Sequence, residues 1–386
     1  MIYVHVPFCR SFCTYCGFYS EVLKKSCCNA GFIQALEAEI LHRTDEIKAV
    51  FTSKDVNTLY VGGGTPSLMP LDFYERLVSA LDSCGHVGTF DEFTVEVNPE
   101  DVIEKGPSYV EGLLRLGVNR FSMGVQSFDD DILKFMNRRH SAAGAVHAYH
   151  ILEDAGVENI SIDLIFGLSQ LSEDKWRSTL DQALTISSSG RQPRHISAYQ
   201  LSVEPGSMLE KQLQKGMWSE ASEEVSSHQY DILCSVLAQA GYEHYEISNF
   251  AKPGYEAMHN SAYWRRVPYI GLGPGAHSYI KEGTSFGSRR WNEEDLSKYM
   301  AAAESGDFSG VCGREILTLG QQAMEEVMLG LRCAAGVRMD ILKQWCQSEE
   351  LDAALKNGSL VNLPDGRVRI PENRFFISDN IISSIL

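Results

Sequence analysis

Short apolar runs rich in β-branched residues recur along the first half of the chain, each followed by a longer stretch whose apolar residues return at helical intervals. The runs cover 3–6, 58–61, 93–97, 120–125, 159–166 and 195–201. The stretches between them, 31–49, 71–83, 109–116, 141–155 and 173–186, read as helices, several opened by Asp, Ser or Pro. Six such units predict an α/β fold, a parallel sheet curling into a partial (β/α)6 barrel over about 1–230.

Beyond residue 311 the pattern changes. Helices are expected over 321–332 and 337–349, then two short strands around the turn Pro364-Asp365-Gly366 and a final apolar stretch. This predicts a smaller winged-helix-like α+β domain over 311–386, joined to the barrel by a connecting region, 231–310.

Composition narrows the function. A formal charge of −17 over 386 residues argues against nucleic-acid binding, and 349–386 is not basic either, so the C-terminal domain is expected to serve packing or a protein partner. Ten cysteines behind a start with no basic leader point to a reducing, cytoplasmic setting. Seven of them, Cys27, Cys28, Cys84, Cys234, Cys312, Cys333 and Cys346, show no ligand spacing and read as buried or incidental thiols. No apolar run is long enough to cross a bilayer, so any membrane contact would be peripheral.

Polar signals gather where the strands end: Gly62-Gly63-Gly64-Thr65-Pro66, Glu96 with Asn98-Pro99, Gln126-Ser127, and Asp163. In a barrel of parallel strands these positions share the C-terminal rim, where such folds carry their chemistry. The loop after the first strand joins them with Cys9, Cys13 and Cys16 in C-x-x-x-C-x-x-C spacing. Three thiolates on one loop can hold three irons of a cubane cluster and leave the fourth open; zinc on the same thiols with His5 is the alternative. The triple glycine allows close backbone approach, as a ligand contact or a plain turn. Glu96 and Asp163 lie in otherwise apolar strands, and such carboxylates need a cation or donors: a sulfonium, an amino group and hydroxyls, or ion pairs with Arg120, Arg138 or Arg139. Gln126 suits a ribose or caps the next turn.

The cysteine loop resembles the cluster loop of radical S-adenosylmethionine (SAM) proteins. The segments 3–9, 62–66, 96–99, 119–128, 137–138 and 162–167 are similar, in order, to the family of oxygen-independent coproporphyrinogen III dehydrogenases and their relatives, the HemW haem chaperones. The resemblance implies a [4Fe-4S] cluster on Cys9, Cys13 and Cys16. It also implies SAM contacts at Tyr3, Tyr15, Gly63, Gly64, Thr65, Glu96, Gln126, Arg138 and Asp163, some at a second cofactor molecule.

Two departures favour the chaperone branch. Phe18 stands where dehydrogenases carry a further cysteine, and the segment those enzymes have before the loop is missing. Tyr245-Glu246-Ile247-Ser248-Asn249-Phe250 and His259-Asn260-Ser261-Ala262-Tyr263-Trp264 resemble HemW signatures, the second being its haem-associated H-N-x-x-Y-W motif. His259 is therefore the expected haem contact, with imidazole for iron and flat aromatics beside it, and His277 a lesser candidate. Gly167-Leu168-Ser169-Gln170 lacks the Pro and second Gly usual in the family, and Gly17 replaces a common acidic residue. The expected function is a haem chaperone that binds haem and hands it to an apo-haemoprotein, without coproporphyrinogen dehydrogenase activity. The dehydrogenase reaction, a radical oxidative decarboxylation, is the alternative, and a homodimer is left open.

Overall fold

The computed structural model of the chain describes residues 1–23, 27–52, 56–281 and 286–386; the side chains of 27–29, hence the thiols of Cys27 and Cys28, lie outside the described residues. The chain opens with β1 (Ile2–Val6), the short parallel pair β2 (Phe8–Cys9) and β3 (Glu21–Val22), and helices α1 (Cys27–His42) and α2 (Thr44–Thr52). Alternation follows: β4 (Thr58–Gly63), α3 (Leu71–Ser83), β5 (Glu92–Val97), α4 (Pro99–Arg115) and β6 (Arg120–Gln126). Next come α5 (Asp130–Phe135), α6 (Ala142–Asp154), β7 (Ile160–Phe166), α7 (Glu173–Thr185) and β8 (His195–Gln200). The six predicted strands are all present, each parallel to the next. Two helices differ from expectation: 31–49 is split between α1 and α2 at Arg43, and α4 starts ten residues before 109, at Pro99, and bends where Gly106 takes φ +69 ahead of Pro107.

The connecting region extends this sheet at both edges. After α8 (Met208–Gln214) and α9 (Glu223–Gln239), the antiparallel strands β9 (Glu243–Glu246) and β10 (Asn249–Ala251) add beyond β8. After α10 (Met258–Trp264), β11 (Ile270–Leu272) lies parallel to β1 on the opposite edge. The nine-stranded order is β11-β1-β4-β5-β6-β7-β8-β10-β9. Buried Glu39 of α1 and Arg43 just after it hold the β11 edge, Glu39 accepting from Gly273 N at 2.8 Å and Arg43 donating to Gly271 O at 2.7 Å.

Period-two alternation divides the strands into two chemistries. Val4, Val61, Val95, Met123, Leu164 and Ala198 belong to a single apolar cluster with helix residues such as Phe32, Phe73, Leu113, Leu152 and Trp176. The opposite face carries Tyr60, Glu92, Glu96, Arg120, Ser122, Asp163, His195 and Tyr199. The barrel interior is thus a hydrogen-bonded polar column instead of a stacked aliphatic core.

In the C-terminal region Leu319–Gly330 is helical as expected, but 337–349 is not one helix. Val337–Arg338 pairs with Arg367–Arg369, Met339–Trp345 is helical, and Cys346 turns extended before the helix Ser348–Lys356. Arg367–Arg369 also pairs with Val361–Asn362 around the expected turn, giving a three-stranded wing. Among the described residues no helix is long and apolar enough to cross a membrane.

Candidate functional site

The triple glycine at the end of β4 is crowded by four groups. A Cβ on Gly62 would lie 2.7 Å from the Tyr60 ring and 2.9 Å from Glu96 Oε1; on Gly63 it would meet the His5 ring at 2.5 Å; on Gly64, the Phe8 carbonyl at 2.7 Å. Gly63 also takes φ +108, which side chains resist. These contacts press the turn onto the cysteine loop, and Gly64 N donates to Val6 O at 2.8 Å. Thr65 Oγ1 then reaches Cys9 Sγ at 3.5 Å.

That loop is tied to the rim from outside the sheet. Thr14 N donates to Met136 O and Leu209 N to Thr14 O, while Asn137 donates to Phe12 O at 2.7 Å. Cys9, Cys13 and Cys16 are free, half-buried thiols lining one cavity of about 520 Å³. Burial raises the pKa of Cys9, and pushes that of Cys16 up to about 11. His5 has both ring nitrogens engaged, with Tyr3 Oη at 3.0 Å and Tyr19 O at 2.9 Å, so it is not a fourth ligand for zinc. Among the described residues no three His, Cys, Asp or Glu side chains gather around a single-ion point.

Beside the thiols stands Arg138, which donates to Asn98 Oδ1 at 2.6 Å, Gly124 O at 2.7 Å and Cys13 Sγ at 3.4 Å. Burial alone would lower its pKa, but Tyr15, Cys13 and Glu100 outweigh that and raise it, so it stays charged. Its Nε is buried with no hydrogen-bond partner among the described residues. Gln126 holds φ +68, an uncommon backbone for a residue other than glycine, at the bulge where β6 slips register against β7.

The cavity floor bears two carboxyls. Glu96 accepts from Tyr60 Oη at 2.7 Å and Gly63 N at 3.1 Å, and burial lifts its pKa to about 7 against those two donors. Asp163 accepts from Ser122 at 3.0 Å; burial raises its pKa as well, opposed by Ser122, Ser197, Arg120 and Ser161. Cys9, Cys13, Cys16, Tyr15, Gly63, Gly64, Thr65, Glu96, Gln126, Arg138 and Asp163 all line this one cavity.

Two residues expected from the sequence do not. Tyr3 lies below it, against His5 and Tyr60. His259 is 1% exposed, and both its ring nitrogens are taken, by Thr58 Oγ1 at 2.8 Å and Tyr263 Oη at 2.9 Å. Burial brings its pKa down to about 3, so the ring is neutral, yet no lone pair faces a cavity and the expected iron ligation is not open to it here. The H-N-x-x-Y-W residues instead form α10 beneath the barrel, where Glu92 accepts from the amides of Met258 and His259 at 2.7 and 3.1 Å. Asn260 donates to Glu246 at 3.2 Å, and Tyr245 Oη meets His195 Nε2 at 2.8 Å, so the two signature segments close the barrel floor together. His277 stacks against Trp291 in a separate three-stranded sheet.

Tyr60, Ser122 and Tyr199 line the cavity but were not singled out from the sequence. Each shares the inward parity of Glu96 and Asp163 along its strand, a signal that counting by twos would find.

Residues 3–183 match the Radical SAM superfamily. The chain is 35% identical to the Heme chaperone HemW of Synechocystis sp., over 90% of this chain and 81% of that protein. It is 31% identical to that of Lactococcus lactis, over 100% of this chain and 96% of the relative. With that of Bacillus subtilis it shares 33% identity over 87% of this chain and 84% of the relative. Among solved structures, coproporphyrinogen III oxidase (HemN) from Escherichia coli superposes with a TM-score of 0.79 over 99% of this chain and 89% of its own, at 22% identity, a likeness of fold.

Proposed function

The chain belongs to the HemW family within the radical SAM superfamily, and we propose that it works as a haem chaperone. It takes up haem and passes it to an apo-haemoprotein, with a [4Fe-4S] cluster and SAM in the rim cavity. The observation that carries this reading is the meeting of three free thiols, charged Arg138 and two half-buried carboxyls on the walls of one cavity. The donor set fits both groups: three cysteines for three irons, and the half-buried carboxyls of Glu96 and Asp163, partly desolvated on the cavity wall, for a cationic ligand. When bound, such a cluster offers an open iron and an electron to the SAM sulfonium.

The chain's own residues set the terms of binding. Gly63 N and Tyr60 Oη hold Glu96 in one orientation, and Arg138 neutralises thiolate charge at Cys13 while fixing Asn98. Phe12 and Phe18, 53% and 72% exposed, give the mouth an apolar lip on which a flat macrocycle can pack. Phe18 also occupies the place of the extra cysteine of the dehydrogenases, which supports the chaperone over the enzyme.

The test is anaerobic. Reconstituted protein loaded with haem is mixed with an apo-haemoprotein, and in a separate assay the reconstituted protein is given SAM, coproporphyrinogen III, a reductant to start the radical and an electron acceptor. Haem should move to the acceptor, and no decarboxylated porphyrinogen should form. Turnover of coproporphyrinogen would overturn the assignment.

The Glu96 proton gives a second expectation. A carboxyl with pKa about 7 is roughly one-tenth ionised at pH 6 and nine-tenths at pH 8. SAM affinity should therefore rise about tenfold between those values beyond whatever slope persists in Glu96→Gln. Without the cofactor the sign reverses. The folded-state pKa lies above the ordinary 4.5, so the unfolded chain releases this proton first, and the contribution of Glu96 to stability declines as pH climbs from 4.5 toward 7. Equilibrium binding at both pH values checks the first statement, and a parent slope equal to that of Glu96→Gln would refute it.

A further inference from the structure

The H-N-x-x-Y-W helix touches the cofactor cavity through one side chain that it does not itself contain. Tyr60 lies with its ring centroid 5.2 Å from that of His259, on the inner face of β4, two residues above Thr58, which bonds His259 Nδ1. On its other side Tyr60 Oη donates to Glu96 at 2.7 Å. Gly62, the next inward residue of the strand, leaves the gap these two groups fill.

We propose that His259 is a positioning residue for the cofactor carboxylate: held at both ring nitrogens by Thr58 and Tyr263, it forms the shelf on which Tyr60 rests, and Tyr60 aims Glu96 at the cofactor. The proposal rests on the reading of Glu96 as a SAM contact.

Three observations support it. The ring is pinned from two sides, by Thr58 Oγ1 at 2.8 Å and by Tyr263 Oη at 2.9 Å from the same helix, so it cannot rotate without leaving a buried nitrogen unpaired. Its helix is anchored independently, because both leading amides donate to Glu92 across the barrel. Tyr60, for its part, is packed half-buried against Tyr3, His259 and Glu96, and its hydroxyl pKa is raised well above the ordinary value by desolvation first and the Glu96 charge next, so it stays a donor. Loss of the imidazole opens space under Tyr60 and lets the hydroxyl drop from Glu96. Imidazole thus serves as packing with two fixed hydrogen bonds, and needs no metal.

The experiment is a double-mutant cycle on anaerobically reconstituted protein, comparing parent, His259→Gln, Tyr60→Phe and the pair, with Glu96→Gln as reference. SAM affinity is read from the change that SAM makes in the electron paramagnetic resonance of the reduced cluster, and added haem is followed by its visible spectrum. Each single change should weaken SAM binding about tenfold, the worth of one hydrogen bond to a charged group, and the pair little more than either alone. The haem spectrum of His259→Gln should match the parent. If Glu96→Gln leaves SAM affinity intact, the underlying cofactor reading fails. If Glu96→Gln weakens SAM but His259→Gln does not, or if the effects of His259→Gln and Tyr60→Phe simply multiply, the positioning role fails. A haem spectrum altered in His259→Gln with SAM affinity unchanged restores the histidine as an iron ligand and overturns the proposal.

Discussion

Cys13→Ala should abolish the cluster while leaving the fold in place. Cys13 is the central thiol of the three and the one to which Arg138 donates, at 3.4 Å. Two remaining thiolates leave two irons of a cubane without protein ligands, which is too few to hold it against chelation. The loop itself is kept by backbone bonds at Thr14 and by Asn137, none of which involves the thiol. Anaerobic reconstitution should therefore give iron near zero and no charge-transfer absorption, with a far-ultraviolet circular dichroism spectrum like that of the parent. Parent-level iron in the variant would show that the ligand set has been misassigned.

Glu92→Ala should be the most destabilising single change in the barrel. Glu92 accepts from Met258 N, His259 N and Thr94 Oγ1, and it is the foremost charge partner of the fully buried Arg120. Removing it takes away the largest charge favouring the buried Arg120 guanidinium and releases two amides of the floor helix. Leaving buried donors unpaired costs about 1–3 kcal/mol each, so the two amides together put the loss at about 2–5 kcal/mol. Urea denaturation of the cofactor-free protein should show a loss of that size, with Glu92→Gln intermediate because it keeps one acceptor. A change within about 0.5 kcal/mol, ordinary for a surface site, would mean that the floor is not built around this carboxylate.

The barrel was legible because its strands are short apolar runs with helices between them, and local periodicity is what sequence reports best. The rim site was legible for a related reason. Cysteine spacing, a glycine run and lone carboxylates at strand ends are local features, and a parallel barrel brings all strand ends to one face. The polar column was readable yet passed over. Glu96 and Asp163 look like isolated carboxylates in apolar strands until every second residue is read, and then Thr94, Ser122, Ser161, Ser197 and Tyr199 join them. The surroundings of the histidine motif were not legible, for a deeper reason. Nothing near His259 in sequence reveals that Thr58, 201 residues away, takes its Nδ1, or that Glu92 caps its helix. Likewise 337–349 keeps helical periodicity across a break caused by a distant contact, Gln347 N donating to Ile385 O at 2.9 Å.

The hairpin carrying Glu246 has another neighbour besides α10. Tyr245 O accepts from Ala334 N and Ile247 N donates to Arg332 O, each at 3.0 Å, with Glu246 bridged to Cys333 between them. The last part of the chain is thus sewn into the hem of the barrel. Shortening the protein to its first 310 residues would unpick that seam and bare strand edge and apolar lining together, so the shortened protein should clump on expression instead of folding as a smaller barrel.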